Sequence, residues 1–153
     1  MINRVIIKNF KGIKYADISF SQKNVIVGNN GVGKSTILEA ISLALGQNNY
    51  GFELTPYLFH RSTWNNLNKS FLPSIIIEVY LDNIPGFEEF TGKNNTLRTE
   101  CLGIKFEAKF DESYIELIEA EELTQIPCEY YTISRSWFSE DVVKPFLQPF
   151  SVQ

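Results

Sequence analysis

The pattern of apolar and polar residues from Arg4 to Lys8 and on towards Phe10 reads as a first strand. Asn9-Phe10-Lys11-Gly12 then reads as a turn in which Gly12 is free to take a positive φ. Tyr15, Ile18 and Phe20, with polar residues between them, predict a second, half-exposed strand, and the β-branched run Asn24-Val25-Ile26-Val27 a third, buried one. The period then changes. Ile37, Leu38, Ala40, Ile41, Ala44 and Leu45 recur at helical spacing, and Gly46 stands where a helix C-cap belongs. Gln47 to Asn68 is polar and aromatic, with Asn48-Asn49-Tyr50-Gly51 and Thr55-Pro56-Tyr57 as turn signals. Ser74 to Leu81 is the clearest strand of the second half, closed by Asp82-Asn83 and Pro85-Gly86. From Ile104 to Phe110, apolar residues alternate with Lys105, Glu107 and Lys109, which predicts another half-exposed strand; Tyr114 to Ile118 is expected to pair with it across Asp111-Glu112-Ser113. Glu129 to Ile133 is a further strand ending near Arg135. The tail from Val142 to Gln153 stays apolar, which suggests a chain cut short, because domains usually end in polar, frayed residues.

Between the third strand and the helix stands Gly28-Asn29-Asn30-Gly31-Val32-Gly33-Lys34-Ser35-Thr36, which fits the phosphate-binding pattern G-x-x-x-x-G-K-[ST]. Strand, glycine loop and helix come in the order the chemistry requires. The glycines let backbone N–H groups converge on one concavity, and the helix N-terminus adds partial positive charge. Lys34 is expected to reach the β- and γ-phosphates of a nucleoside triphosphate, the Ser35 hydroxyl to ligate Mg²⁺, and Thr36 to lie near the α-phosphate. A glycine-rich turn that merely happens to carry Lys-Ser-Thr would need both flanking elements by coincidence.

Composition narrows the class. The 153 residues are one domain's worth, and 44% hydrophobic with 14% aromatic content is globular. Ile75-Ile76-Ile77 is among the longest apolar runs and is far too short to cross a bilayer, and the charged start is no secretory signal. Cys101 and Cys128 lack metal-site spacing and read as two ordinary buried or half-buried thiols, so a cytoplasmic chain is expected. A net charge of −4 argues against strong nucleic-acid binding by this segment itself. The charge is uneven. Arg4, Lys8, Lys11 and Lys14 make the opening basic, facing either a phosphate group or solvent at a sheet edge, whereas the acidic stretch from Glu100 to Glu122 reads as a solvated face. His60 is the single histidine, and a packed or surface role is its ordinary reading.

A hydrolysing enzyme of this type also needs an acid at the end of a buried apolar strand. Phe110-Asp111-Glu112 is the nearest match, and the alternating residues before it make that strand half-exposed, which is the wrong pattern. Leu-Ser-Gly-Gly and Asn-Lys-x-Asp motifs are also absent from the sequence. The two strands before the loop-bearing strand argue against a small-molecule kinase.

Gly28 to Thr36 resembles the G-x-N-G-x-G-K-S-T loop of ABC-type ATPases of the SMC-like and RecF-like branch, and Val5-Ile6-Ile7-Lys8-Asn9-Phe10-Lys11-Gly12 is similar to that branch's opening strand and turn. Ile37 to Ile41 resembles its first helix; His60, the strand from Ile76 to Asp82 and an aromatic strand leading to Arg135 are similar to the N-terminal part of OLD-family nucleases. The resemblance implies an α/β P-loop AAA ATPase of ABC type, with residues 1–153 forming one N-terminal lobe in which antiparallel strands precede the loop strand and helix. It implies ATP and Mg²⁺ as cofactors, DNA as a partner of the full-length protein, a homodimer formed by paired ATPase domains, and no membrane. It also implies a role in DNA repair, phage defence or endonuclease action, with Lys34 as the catalytic loop residue. The alternative is a nucleotide-binding interaction module without hydrolysis. Either way, this chain by itself is expected to hydrolyse ATP poorly.

Overall fold

A turn as short as Lys11-Gly12 forces its flanking strands to run antiparallel. In the computed structural model β1 (Ile2–Phe10) pairs in that way with β2 (Ile13–Ser19), Val5 facing Ile18 and Lys8 facing Tyr15. The structure describes residues 1–20, 33–46, 52–65, 67–68, 70–118 and 123–143. The expected strand Asn24–Val27, the loop residues Gly28, Asn29, Asn30, Gly31 and Val32, and the tail from Lys144 lie outside them. On its other side β1 pairs with β3 (Ile75–Leu81), followed by β4 (Leu102–Phe110) and β5 (Tyr131–Trp137). The sheet order is β2-β1-β3-β4-β5, antiparallel at every pairing among the described residues.

Strand alternation sorts the side chains onto two faces. Val5, Val79, Ile104 and Trp137 lie in one cross-strand row, and Ile7, Ile77 and Phe106 lie in the next; all are buried. This face carries α1 (Lys34–Ala44), whose helical spacing turns Ala40, Ile41, Leu43 and Ala44 inward. Gly46 ends the helix as expected. It adopts φ 75°, its N–H donates to Leu43 O at 3.2 Å, and Leu45 N–H donates to Ile41 O at 3.0 Å.

The opposite face is covered by a smaller cluster of Ile6, Tyr80 and Phe138. A Cβ on Gly103 would stand 2.0 Å from the Phe138 ring, which explains a glycine in mid-strand. Glu78 is only 1% exposed here, and its carboxylate accepts from Thr96 N–H at 2.9 and 3.1 Å and from the Tyr80 hydroxyl at 2.9 Å. Two donors, one of them shared between both carboxylate oxygens, make burial of that group tolerable, and the Thr96 bond fixes the 92–98 loop over the sheet. Burial, with Glu78 alongside, pushes the Tyr80 phenol well above its ordinary value.

Four expectations change. Tyr114 to Ile118 is not a strand. Asp111 accepts from Ser113 N–H at 3.0 Å and from Ser113 Oγ at 2.7 Å, and this cap starts a 3-10 helix over Glu112–Leu117. The place beside β4 goes instead to β5, which begins at Tyr131 after a 3-10 turn over Cys128–Tyr130 and runs beyond Arg135 to Trp137. In the first turn, Asn9 (φ 63°) and Lys11 (φ 50°) carry the left-handed backbone rather than Gly12. Asn9 is held there by two side-chain bonds, from its Nδ2 to Ser74 O at 2.9 Å and from His60 N–H to its Oδ1 at 3.1 Å. Finally, β1 lies inside the sheet, so Arg4 and Lys8 cannot be guarding an edge.

Candidate functional site

A helix N-terminus leaves its first N–H groups without intrahelical acceptors, and most helices cover them with a side-chain cap. Helix α1 has no side-chain cap among the described residues and no acid in its first turn. Its N-cap is Gly33, at φ 97°, a conformation that side chains disfavour, and Ile37 N–H donates to Gly33 O at 2.8 Å to open the helix. Lys34, Ser35 and Thr36 therefore occupy the first three helical positions, Lys34 and Ser35 exposed and Thr36 half-buried. Of the predicted phosphate-binding residues, the structure brings these four together; Gly28 to Val32 lie outside the described residues. The result is a set of open N–H donors at the positive end of a helix dipole, with an ammonium and a hydroxyl beside them, which suits an anion.

A cleft of about 590 Å³ runs along α1 beside this end, lined by Ser35, Leu38 and Glu39 from the helix, Lys11 from the first turn, and Phe52 and Glu53. Lys11 forms an ion pair with Glu39. Sequence reading missed Glu39, although its spacing from Ser35 puts both on one helix face. The Lys11 backbone is anchored as well, its N–H donating to Leu58 O at 2.8 Å. The hydroxyl of Ser35 and the carboxylates of Glu39 and Glu53 are oxygen donors of the kind a hard divalent cation takes.

The remaining candidates have structural partners. His60 Nδ1 lies 2.8 Å from Ser62 Oγ and accepts from Ser62 N–H at 3.2 Å, capping the 3-10 turn Arg61–Thr63. Arg135 donates from Nε to Leu43 O at 2.9 Å and sets its guanidinium 5.5 Å from the Phe106 ring centre, tying β5 to the end of α1. Burial lowers its pKa. Asp111 lines a different cavity from Ser35, together with Glu107 and Lys109. Cys101 and Cys128 are free and half-buried, and burial pushes the Cys128 thiol up to about 11.

The basic opening does not form one cluster. Arg4 and Lys8 share the face of the sheet opposite α1, where Arg4 pairs with Asp17 at 3.3 Å, while Lys11 turns towards α1. A concavity of about 710 Å³ on the face away from α1 gathers a different set of cations, Lys93, Arg98 and Lys105. No helix among the described residues is long and apolar enough to cross a membrane.

Comparison with known proteins finds relatives among ATPases. The DNA double-strand break repair Rad50 ATPase of Methanopyrus kandleri is 52% identical over 46 residues, covering 29% of this chain and 5% of the relative. The OLD nuclease of Thermus scotoductus is 46% identical over 46 residues, 30% of this chain and 9% of the relative. The chain thus spans under a tenth of the length of either. Among solved structures, a chain from a study of ATP-driven dimerization and DNA-stimulated activation of SMC ATPases superposes with a TM-score of 0.51 at 19% identity, covering 94% of this chain and 72% of that one. That likeness establishes a P-loop ATPase fold, and the similarity as a whole is to the N-terminal region of OLD- and SMC-like ABC-type ATPases. The family model for the AAA ATPase domain matches residues 1–146, and the chain belongs to that family.

Proposed function

We propose that this chain is the ATP-binding N-terminal part of an ATPase that acts in DNA processing, a single ABC-type domain over residues 1–153. The observation that carries the reading is the start of α1, which has no side-chain cap among the described residues and where Gly33, Lys34, Ser35 and Thr36 stand in succession. ATP is held there with its phosphates on the N–H groups and Lys34, and Mg²⁺ on the Ser35 hydroxyl. Bound Mg²⁺ would neutralise phosphate charge and bridge phosphate oxygens. Pairing of two such domains into a homodimer, with ATP as the clamp, belongs to the same proposal and takes its support from the SMC-like fold. A second reading, a nucleotide-binding module without turnover, is favoured by one observation: Asp111, the nearest sequence match to a catalytic strand-end acid, lines a cavity away from Ser35.

The test is calorimetric titration with ATP and Mg²⁺ of the wild type and of Lys34→Ala. Lys34 is exposed, so the variant should keep the wild-type circular dichroism spectrum while its ATP affinity falls by at least an order of magnitude. Undiminished affinity would refute the assignment. For DNA, the chain's net charge of −4 sets the expectation of weak duplex binding that fades steeply between low and moderate salt in fluorescence anisotropy. Tight duplex binding that persists in moderate salt would contradict it.

A further inference from the structure

The 52–65 segment carries two aromatic side chains that no core claims. Tyr57 is 77% exposed and Trp64 37%, yet both are held in place. Tyr57 sits in the middle of the 3-10 turn Pro56–Leu58, closed by Leu58 N–H to Thr55 O and Phe59 N–H to Pro56 O, each at 3.1 Å. Trp64 donates its Nε1–H to Pro56 O at 3.0 Å, so the polar atom of the indole is already satisfied. The rings meet edge to face, 5.8 Å apart at 86°, an arrangement that leaves the faces of the edge-donating ring uncovered by its neighbour.

Both rings line a cleft of about 450 Å³ whose other walls include Lys11, His60 and Arg61. That size is within the roughly 300–1,000 Å³ of small-ligand sites. Arg61 is exposed and forms no ion pair among the described residues, while Lys11 is shared with Glu39. We propose that the Tyr57–Trp64 cleft stacks an unpaired base of a single-stranded nucleic acid, with Arg61 beside it for the adjoining phosphate. This rests on the DNA-processing reading and names the form of DNA engaged.

Two features favour a nucleic-acid strand over a protein partner. A protein-docking patch needs contiguous apolar surface, and here the ring pair is bordered by cationic and polar side chains, Lys11, His60 and Arg61. Aromatics held beside a cation that has no ion pair among the described residues, on a chain whose overall charge is −4, are what strand binding uses: stacking tolerates any base, and the local cation meets the backbone.

The test is fluorescence anisotropy with a labelled short oligothymidylate, an abasic strand of equal length and a duplex of equal length, in one moderate-salt buffer. The chain is expected to bind the oligothymidylate roughly tenfold more tightly than the abasic strand, a preference that Tyr57→Ala removes. The duplex, with its bases already stacked, should behave like the abasic strand. Arg61→Ala should weaken all three. Tyr57 is so exposed that its replacement should leave the fold intact, and Tyr114→Ala, at another exposed tyrosine, serves as the control. Equal affinity for the base-containing and abasic strands, or an unaltered Tyr57→Ala protein, would overturn the inference. So would competition by ATP that Lys34→Ala leaves unchanged, which would give the cleft to the adenine ring, or self-association lost in Tyr57→Ala without nucleic acid, which would give it to a second copy. Lys34-dependent ATP binding in the same preparations reports on the broader reading separately, so either can fail alone.

Discussion

Replacing Trp137 by alanine is expected to destabilise the protein by about 3–5 kcal/mol. Trp137 is fully buried at the end of β5, in the same cross-strand row as Ile104, Val79 and Val5. Its ring stacks on Phe90 with centres 5.0 Å apart and lies 5.9 Å from Phe87, so it joins the sheet to the 87–90 turn. Truncation leaves a cavity that rigid strands on one side and two phenyl rings on the other cannot collapse to fill. For a chain of this size the loss corresponds to a fall of roughly 6–20 °C in Tm. Trp137→Phe should cost much less. It keeps an aromatic ring in place and removes an Nε1–H that finds no hydrogen-bond partner among the described residues. Circular dichroism melts of both variants provide the check, and a loss below about 1 kcal/mol for the alanine variant would mean that this corner does not hold the sheet together.

What the sequence revealed follows from which interactions are local. The alternation in β4, the apolar runs of β1 and β3 and the spacing in α1 each arise from surface that must be buried, and Gly46 marks a helix end that glycine serves best. The candidate phosphate-binding residues from Gly33 to Thr36 are legible for the same reason, because one turn of helix places them side by side. Tyr114 to Ile118 misleads because β-favouring Tyr and Ile outweigh, in a pattern count, one carboxylate. Asp111 uses two hydrogen bonds to Ser113 to start a 3-10 helix instead, and Asp-x-Ser was the signal for it. Long-range juxtapositions leave less trace. Lys11 meets Glu39, and Tyr57 comes near Lys11, because the first turn is stitched to the 55–60 segment by Lys11 N–H to Leu58 O and by Asn9 to the His60 amide. Nothing in the hydrophobic period encodes those two bonds.

The largest expected effect on chemistry is an absence of turnover: this chain, saturated with ATP and Mg²⁺, should release phosphate several orders of magnitude more slowly than the roughly 10 s⁻¹ of a typical enzyme. Phosphoryl transfer depends on positioned charge, and removing single charge-placing groups costs about 10²–10⁵ in rate. The start of α1 offers Lys34 and Ser35 for the phosphates, but a hydrolytic acid must also reach the attacking water. Asp111 is poorly placed for that. It lines another cavity, its carboxylate is engaged by Ser113, and those hydrogen bonds hold its pKa below the usual carboxylate range. The carboxylates lining the cleft beside Ser35 are Glu39, which is paired with Lys11, and Glu53. Phosphate release should therefore be near background in the wild type and indistinguishable from Lys34→Ala, although the wild type alone binds ATP. An ordinary turnover rate abolished by Lys34→Ala would overturn this account. Loss of that rate in Glu53→Gln, but not in Asp111→Asn, would then identify the acid as the one lining the Ser35 cleft.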